Sequence, residues 1–355
     1  MRCSLGESLL GWRGRYRPGT PAPAEGSGLR PGVTVVVPTW NGADLLEACL
    51  ACVQSQDLTP ARIVVVDNAS TDSTLSVVKQ FAGVEVMRMQ TNEGYSGALA
   101  RVVASLNTEY VAPLNNDAQP DPRWLSVLTR HLEAHARTGC AFPMVVRTDG
   151  LVDTGGDILT IAGFAYKHWF RSPPPIVLPS SKWFVSAPGV APVYRVRAIH
   201  SVGGWDAGLH SQWDDIDMGL KLWEAGWDLD AVHSVRVVHR QGASAGRDIR
   251  GRDFLAARNE TVVLLTHLPA ATLVALLPHR LVYLTLSMLS HMVRGTAPAY
   301  IAGHLAAVAS VGAILAVRRS LRPVRRLTSG ELNSGWLPVW WGLSRMGGRQ
   351  APRSS

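Results

Sequence analysis

Residues 33–37 form a continuous β-branched run that stops at Pro38-Thr39 and Asn41-Gly42. Leu45, Leu46, Cys49, Cys52 and Val53 then recur at helical spacing, and Ile63-Val64-Val65-Val66 form a second apolar run ending on Asp67. Strands apolar throughout, with a helix between them, predict a parallel sheet covered on both faces. The pattern continues as a helix near 71–82, a third strand over 84–87, and a fourth over 110–114 that runs into Asn115-Asn116-Asp117. Pro120, Asp121 and Pro122 introduce a helix through Trp124, Leu125 and Leu128. Residues from about 141 to 212 read as irregular, with Gly155-Gly156 and Pro173-Pro174-Pro175. Ile216, Leu220 and Trp223 mark a further helix that Gly226 closes; Asp214 fits its N-cap and Asp215 its first turn, where the helix dipole favours ionised carboxylates. The fold class expected is α/β, a Rossmann-like, mostly parallel central sheet flanked by helices, followed by an apolar helical C-terminal region.

That region is strongly apolar over 261–317, densest at 281–292 and 300–317, and Arg318-Arg319 follow at once. An interfacial helical anchor, a short spanning hairpin and a helix pair buried on the main domain all fit. Arg319, Arg322, Arg325 and Arg326 with Trp336, Trp340 and Trp341 suit a headgroup layer and favour the interfacial form. Residues 1–31, rich in Gly, Pro, Ser and Arg, read as a flexible leader without the apolar stretch of a secretory signal. The expected divisions are 1–31 leader, 32–267 catalytic domain with halves at 32–120 and 121–267, 268–326 membrane-associating region and 327–355 basic tail.

Charge argues against nucleic acid. Residues 1–30 carry five Arg against two Glu and residues 318–355 eight Arg against one Glu; this excess is larger than the whole chain's net +8, so the middle is slightly acidic and no basic stripe crosses a folded domain. Cys49 and Cys52 have no second pair nearby to complete a zinc site and read as a buried helix face in a reducing, cytoplasmic setting.

In open α/β sheets ligands bind beyond the carboxyl ends of the strands, where Thr39, Asn41, Asp67 and Asn68 fall. A nucleotide-sugar donor needs an acceptor for its base and a cation for its departing diphosphate. Asp67 can take the imide proton of uracil or thymine, Asp117 can hold a divalent metal, and Asp215 can activate an acceptor hydroxyl. Simple alternatives stand beside these roles: Asp67 as a turn cap, Asp214 and Asp215 as helix capping, His239 as a core histidine, Gly94 and Gly97 as a tight turn.

The ordered series Val37-Pro38-Thr39-Trp40-Asn41-Gly42, Val65-Val66-Asp67-Asn68-Ala69-Ser70-Thr71-Asp72, Asn92-Glu93-Gly94-Tyr95-Ser96-Gly97, Leu114-Asn115-Asn116-Asp117, Gly203-Gly204-Trp205-Asp206, Trp213-Asp214-Asp215-Ile216-Asp217, Val238-His239-Arg240-Gln241-Gly242 and Arg258-Asn259-Glu260 resembles glycosyltransferase family 2, enzymes of the GT-A fold, over residues 33–267. The resemblance implies Asp67 on the nucleotide base, Asp117 on the metal with His239 as an added ligand, and Asp215 as general base. It further implies Pro38, Thr39, Asn41, Asn68, Asn92, Gly94 and Asn116 around the donor, and Trp213, Asp214 and Asp217 as acceptor or supporting residues. The block from Trp213 to Asp217 is similar to that of galactofuranosyltransferases, and rhamnosyltransferases are also similar. Asn115 and Asn116 stand where stricter members carry acids, so metal binding without donor should be weak.

The expectation is thus an inverting transferase dependent on manganese or magnesium. It would move rhamnose, galactofuranose or a similar sugar from a UDP- or dTDP-type donor to a cell-envelope glycan on a polyprenyl carrier, at the cytoplasmic face of the membrane. A catalytically silent sugar-binding subunit and a nucleotidyltransferase are the competing classes; the third carboxylate, and the lack of a basic, glycine-rich loop after the first strand, speak against them.

Overall fold

The computed structural model describes residues 29–175, 184–240 and 248–321, together with 327, 328, 330 and 332. The β-branched run becomes β1 (Arg30–Thr39), followed by α1 (Ala43–Gln54), β2 (Arg62–Asp67), α2 (Thr74–Val78), β3 (Val84–Arg88), α3 (Gly94–Val103), β4 (Thr108–Pro113), β5 (Ala118–Pro120), α4 (Trp124–Ala134) and β6 (Thr138–Arg147). Then come β7 (Val152–Thr154), β8 (Asp157–Leu159), β9 (Ala165–Lys167), β10 (Val193–Arg195), α5 (Val196–Ser201), α6 (Asp214–Glu224) and β11 (Asp228–His239). The sheet runs β3-β2-β1-β4-β10-β6-β11-β5, with β7 on β6 and β8–β9 as a separate hairpin. Strands β1, β2, β3, β4, β6 and β11 share one direction; β5, β7 and β10 oppose them.

Both faces of the sheet's centre are covered, which is why β1, β2, β4 and β6 lack alternation. Val33, Val35 and Val37 pack with Leu46, Cys49 and Leu50 of α1 and Trp124 and Leu128 of α4. Val36, Val64 and Val66 pack on the other side with Leu99 of α3, Ile199 of α5 and Met218 and Leu222 of α6. Cys49 is fully buried and, like Cys52, a free thiol.

Three elements differ from expectation. The helix over 71–82 shortens to α2, because Gln80 and Phe81 close tighter turns onto Val77 and Val78 before Gly83 at φ 75°. The stretch expected to be irregular holds β6, a buried strand of the sheet. Its Pro143 reads as a breaker but is accommodated where pairing with β11 slips register, between Ala231 opposite Phe142 and Arg236 opposite Met144. Asp214 is no N-cap: Trp213 stands before the first turn of α6, and Asp214 is buried inside it.

Beyond the sheet, α7 (Ile249–His267) lies across α6, whose Ile216 and Leu220 meet Val262, Val263 and Leu264. The apolar run over 300–317 is two helices, α9 (Ala297–Ala309) and α10 (Val311–Ser320), bent by 55° at Ser310. Before them α8 (Ala270–Val293) is long and apolar enough to cross a membrane, yet only 22% of its apolar window is buried. Its inward face carries Thr272, Tyr283, Ser287 and His291 and its outward face Val274, Leu277, Leu281, Leu289 and Met292. Arg322, Arg325, Arg326 and the three tail tryptophans lie outside the described residues.

Candidate active site

Thr39 ends β1, Asp67 ends β2, and Asn115-Asn116-Asp117 follow β4, so all reach one edge of the sheet. Asp67 is fully buried; Oδ1 accepts the Ser70 N–H at 3.0 Å, while Oδ2 has no hydrogen-bond partner, the Arg88 Nε standing 3.6 Å away. Turn capping accounts for the first oxygen only. Leaving a buried carboxylate oxygen without a donor is costly, and a ligand N–H would satisfy it.

Around Asp67 the asparagines expected near the donor tie the rim loops together. Asn41, at φ 48°, accepts Thr71 N–H at 2.8 Å; Asn68 accepts Glu93 N–H at 3.2 Å and donates to Gly94 O at 3.3 Å. Asn92 accepts Gly94 N–H at 2.9 Å, and Asn116 donates to Thr39 Oγ1 at 2.9 Å. Pro38 sits in register with Val66. Gly94 has φ 74°, and a Cβ there would overlap the backbone and ring of His210.

His239, at the end of β11, lies between two carboxylates: its Nε2 is 3.1 Å from Asp117 Oδ1 and its Nδ1 2.8 Å from Asp153 Oδ2. Lys167 Nζ reaches the other oxygen of Asp153 at 2.9 Å. Burial alone would lower the imidazole's pKa, but the hydrogen bonds and charges of Asp117 and Asp153 raise it to about 9. The donor set fits a divalent cation: one carboxylate oxygen and one imidazole nitrogen face each other, and Nδ1 is already engaged behind the ring. Among the described residues no group of three side chains forms a complete metal cage, so a cation here must draw its other ligands from substrate and water.

The base candidate sits after a strained loop. His210, Gln212 and Trp213 all hold positive φ, 64°, 67° and 64°. The buried amide of Asn259 donates to Leu209 O, Ser211 O and Gln212 O, each at 2.8 Å, and Arg258 donates to Gly208 O at 2.8 Å. The loop is fastened to the donor rim through Ser96 N–H to His210 O at 3.0 Å. Beyond it, Asp215 Oδ1 accepts its neighbour's N–H, Ile216, at 2.9 Å, and the carboxyl packs near Gly189, whose carbonyl accepts from Tyr95 OH at 2.6 Å.

The helix dipole does not decide this site. Burial pushes Asp215 up despite the Ile216 N–H and the Lys167 ammonium, and pushes Asp157, beside Asp215 and hydrogen-bonded to Ser186, up to about 8. Burial and then the Asp215 charge drive Asp214 well above the usual carboxylate range. Asp217 turns elsewhere, into a buried network with Lys221 at 2.6 Å and His267 at 3.0 Å, and His267 also meets Glu224 at 2.9 Å. Trp213 packs against the α6–α7 cluster.

Residues 34–188 match the Glycosyl transferase family 2 profile and residues 177–317 that of Glycosyl transferase family group 2. The chain belongs to glycosyltransferase family 2. Among relatives of this transferase, N-acetylglucosaminyl-diphospho-decaprenol L-rhamnosyltransferase of Mycobacterium tuberculosis is 27% identical over 241 residues, 60% of this chain and 78% of that protein. The same organism's pre-mycofactocin glycosyltransferase is 30% identical over 58% of this chain and 42% of its own. The GT-A fold is shared with GalNAc-T7, solved with UDP, GalNAc and Mn2+, at TM-score 0.53 and 17% identity over 67% of this chain and 48% of that one. It is shared too with the mannosyltransferase PcManGT of Pyrobaculum calidifontis, solved with GDP-Man and Mn2+, at TM-score 0.50 and 19% identity over 85% and 90%.

Sequence reasoning missed Asp153, Asp157, Lys167 and His210. The signal for the first two was Asp153-Thr154-Gly155-Gly156-Asp157, two acids around a glycine pair; Lys167 becomes visible only once β8 and β9 pair, with Asp157 opposite it. Asn259→Ala frees three loop carbonyls and lets residues 209–213 relax. Since small misplacement of a reacting group costs about 100-fold, its kcat should fall by that order while donor affinity stays near wild type, as steady-state kinetics and calorimetric nucleotide titration would show. Unchanged kcat would dissociate the clamp from catalysis.

Proposed function

We propose that this family 2 transferase moves a sugar, rhamnose or galactofuranose in type, from a UDP- or dTDP-linked donor to a hydroxyl of a polyprenyl-carried glycan with inversion. The supporting observation is that Asp117, His239, Asp153 and Lys167 form one chain of contacts, while Lys167 stands opposite Asp157 in the β8–β9 hairpin and its charge acts on Asp157 and Asp215. The donor's leaving group and the acceptor's proton can thus be handled on neighbouring walls of one cleft.

In this reading the orphaned Asp67 Oδ2 accepts the imide N–H of a pyrimidine base, which places the diphosphate toward the Gly94 turn. Asp117 and His239 would hold a divalent cation, manganese by preference for the imidazole and magnesium as the alternative. That cation supplies positive charge to the departing diphosphate. Asp215 takes the proton of the acceptor hydroxyl as its oxygen bonds to the anomeric carbon and the bond from that carbon to the diphosphate breaks. One displacement inverts the anomeric centre. The three carboxyls divide the work: Asp214 and Asp157 keep their protons, while the Ile216 N–H and Lys167 let Asp215 carry the charge. A pKa above the ordinary carboxylate value also makes Asp215 a stronger base.

The outward face of α8, with Leu305 and Val308 of α9, presents exposed aliphatic side chains, while polar groups of α8 turn inward. This is the reverse of a water-facing helix and suits docking into the cytoplasmic leaflet, where the relative's decaprenol-type acceptor would be met. Arg318, whose Nη1 donates to Leu265 O at 2.9 Å, fixes the end of α10 to α7.

Asp215→Asn keeps shape but cannot take a proton, so transfer should drop by about 10²–10⁴-fold with nucleotide affinity preserved; wild-type turnover by nucleoside diphosphate release would remove Asp215 from the role. Leu281→Glu combined with Leu289→Glu and Leu305→Glu should abolish co-flotation with anionic lipid vesicles while circular dichroism stays native. Equal flotation of the folded triple variant would refute leaflet docking through this face.

A further inference from the structure

Asp153 belongs to none of the roles above, yet it is fully buried and both of its oxygens are engaged, Oδ2 by His239 Nδ1 at 2.8 Å and Oδ1 by Lys167 Nζ at 2.9 Å. Its backbone is shaped for this. Strand β7 pairs with β6 as Thr154 opposite Val145 and Val152 opposite Val146, so Asp153 is the additional residue of a β-bulge. Bulges re-aim a side chain that regular pleating would point elsewhere, and they recur beside active sites. Here the carboxylate is turned toward the ring at the end of β11, whose His239 pairs with Arg147 on the other side of β6.

A histidine offers a metal one nitrogen only if the other carries the proton, and a carboxylate behind the ring settles which. We propose that Asp153, neutralised by Lys167, is the positioning residue that keeps the His239 proton on Nδ1 and so presents the Nε2 lone pair toward Asp117 and the donor-bound cation. This rests on the reading of Asp117 and His239 as that cation's ligands. Asparagine cannot replace Asp153: it has one oxygen for two donors. The Lys167 ammonium claims that oxygen, which leaves the Asn NH2 against Nδ1, forces Nδ1 to accept, and moves the ring proton to Nε2, where it blocks the metal. Lys167 therefore has two consequences, charge neutralisation of a buried acid and enforcement of the tautomer.

The test uses the full chain with Mn2+ and UDP as probes, following free Mn2+ by electron paramagnetic resonance. Asp153→Asn should weaken Mn2+ binding in the presence of UDP by about 10–100-fold, the usual effect of removing such a partner, while UDP affinity without metal and thermal unfolding stay near wild type. In a His239→Ala background the same change should add less than about twofold, because it acts only through that ring. Full Mn2+ affinity in Asp153→Asn, when His239→Ala is impaired, overturns this inference and leaves the metal reading standing; full affinity in His239→Ala overturns both. Independently of any variant, nitrogen-15 histidine spectra of the Mg2+- and UDP-bound protein should place the His239 proton on Nδ1, and a proton on Nε2 would contradict the proposal.

Discussion

Three residues in sequence space of four, His210, Gln212 and Trp213, are held in the left-handed region although none is glycine. Such conformations cost on the order of 1–3 kcal/mol each and persist only where surroundings over-determine them. The determinant is α7. Asn259 and Arg258 gather the loop's carbonyls from below, and Ser96 takes the His210 carbonyl from the donor side. The position of Asp215 relative to α3 is therefore set by a buried asparagine more than forty residues further along the chain. The helix that bears this clamp also supports α9 and α10, so the apolar C-terminal region and the loop before Asp215 are mounted on one element.

Charge is the second constraint. Asp117, His239, Asp153 and Lys167 form one chain of contacts, and the Asp215 charge acts on the buried Asp157 and Asp214. Carboxyls buried side by side cannot all ionise, and protonation is shared out by local hydrogen bonding. His239 and Lys167 hold Asp153 down to about 2 against the effect of burial, whereas Asp157 and Asp214 are pushed the other way. An arrangement of this kind suits a site that receives a cation and a diphosphate together, each compensating charge that the protein alone leaves unbalanced.

Much of this was legible from residues alone. The β-branched runs ending on Thr39 and Asp67 are β1 and β2, because fully apolar strands occur where both faces are covered. Asp117, His239 and Asp215 came through the ordered family motifs, and the structure brings Asp117 and His239 into contact. What escaped depends on long-range geometry. Asp153 lies in a readable acid-glycine stretch but is aimed by a bulge, Asn259 lies in a motif but acts through packing between α7 and a loop, and Lys167 comes into play only through a hairpin register. At Asp215 burial raises the pKa against the Ile216 N–H at the start of α6, an opposing effect that the dipole argument left out. The run over 300–317 looked continuous because alanine and valine continue through Ser310, where the chain bends.

In the proposed reading Asp117 and His239 bind the donor's cation, and Asp215, on a neighbouring wall, stays clear of it. Anomalous diffraction from crystals of the full chain grown with Mn2+ and a uridine or thymidine diphosphate tests it most directly. A single strong manganese peak within coordination distance of Asp117 and His239 Nε2 is expected, with the base on Asp67 and the Asp215 carboxyl free of metal. A peak among Asp157, Asp214 and Asp215, or a nucleotide bound away from the ends of β1 and β2, would contradict it.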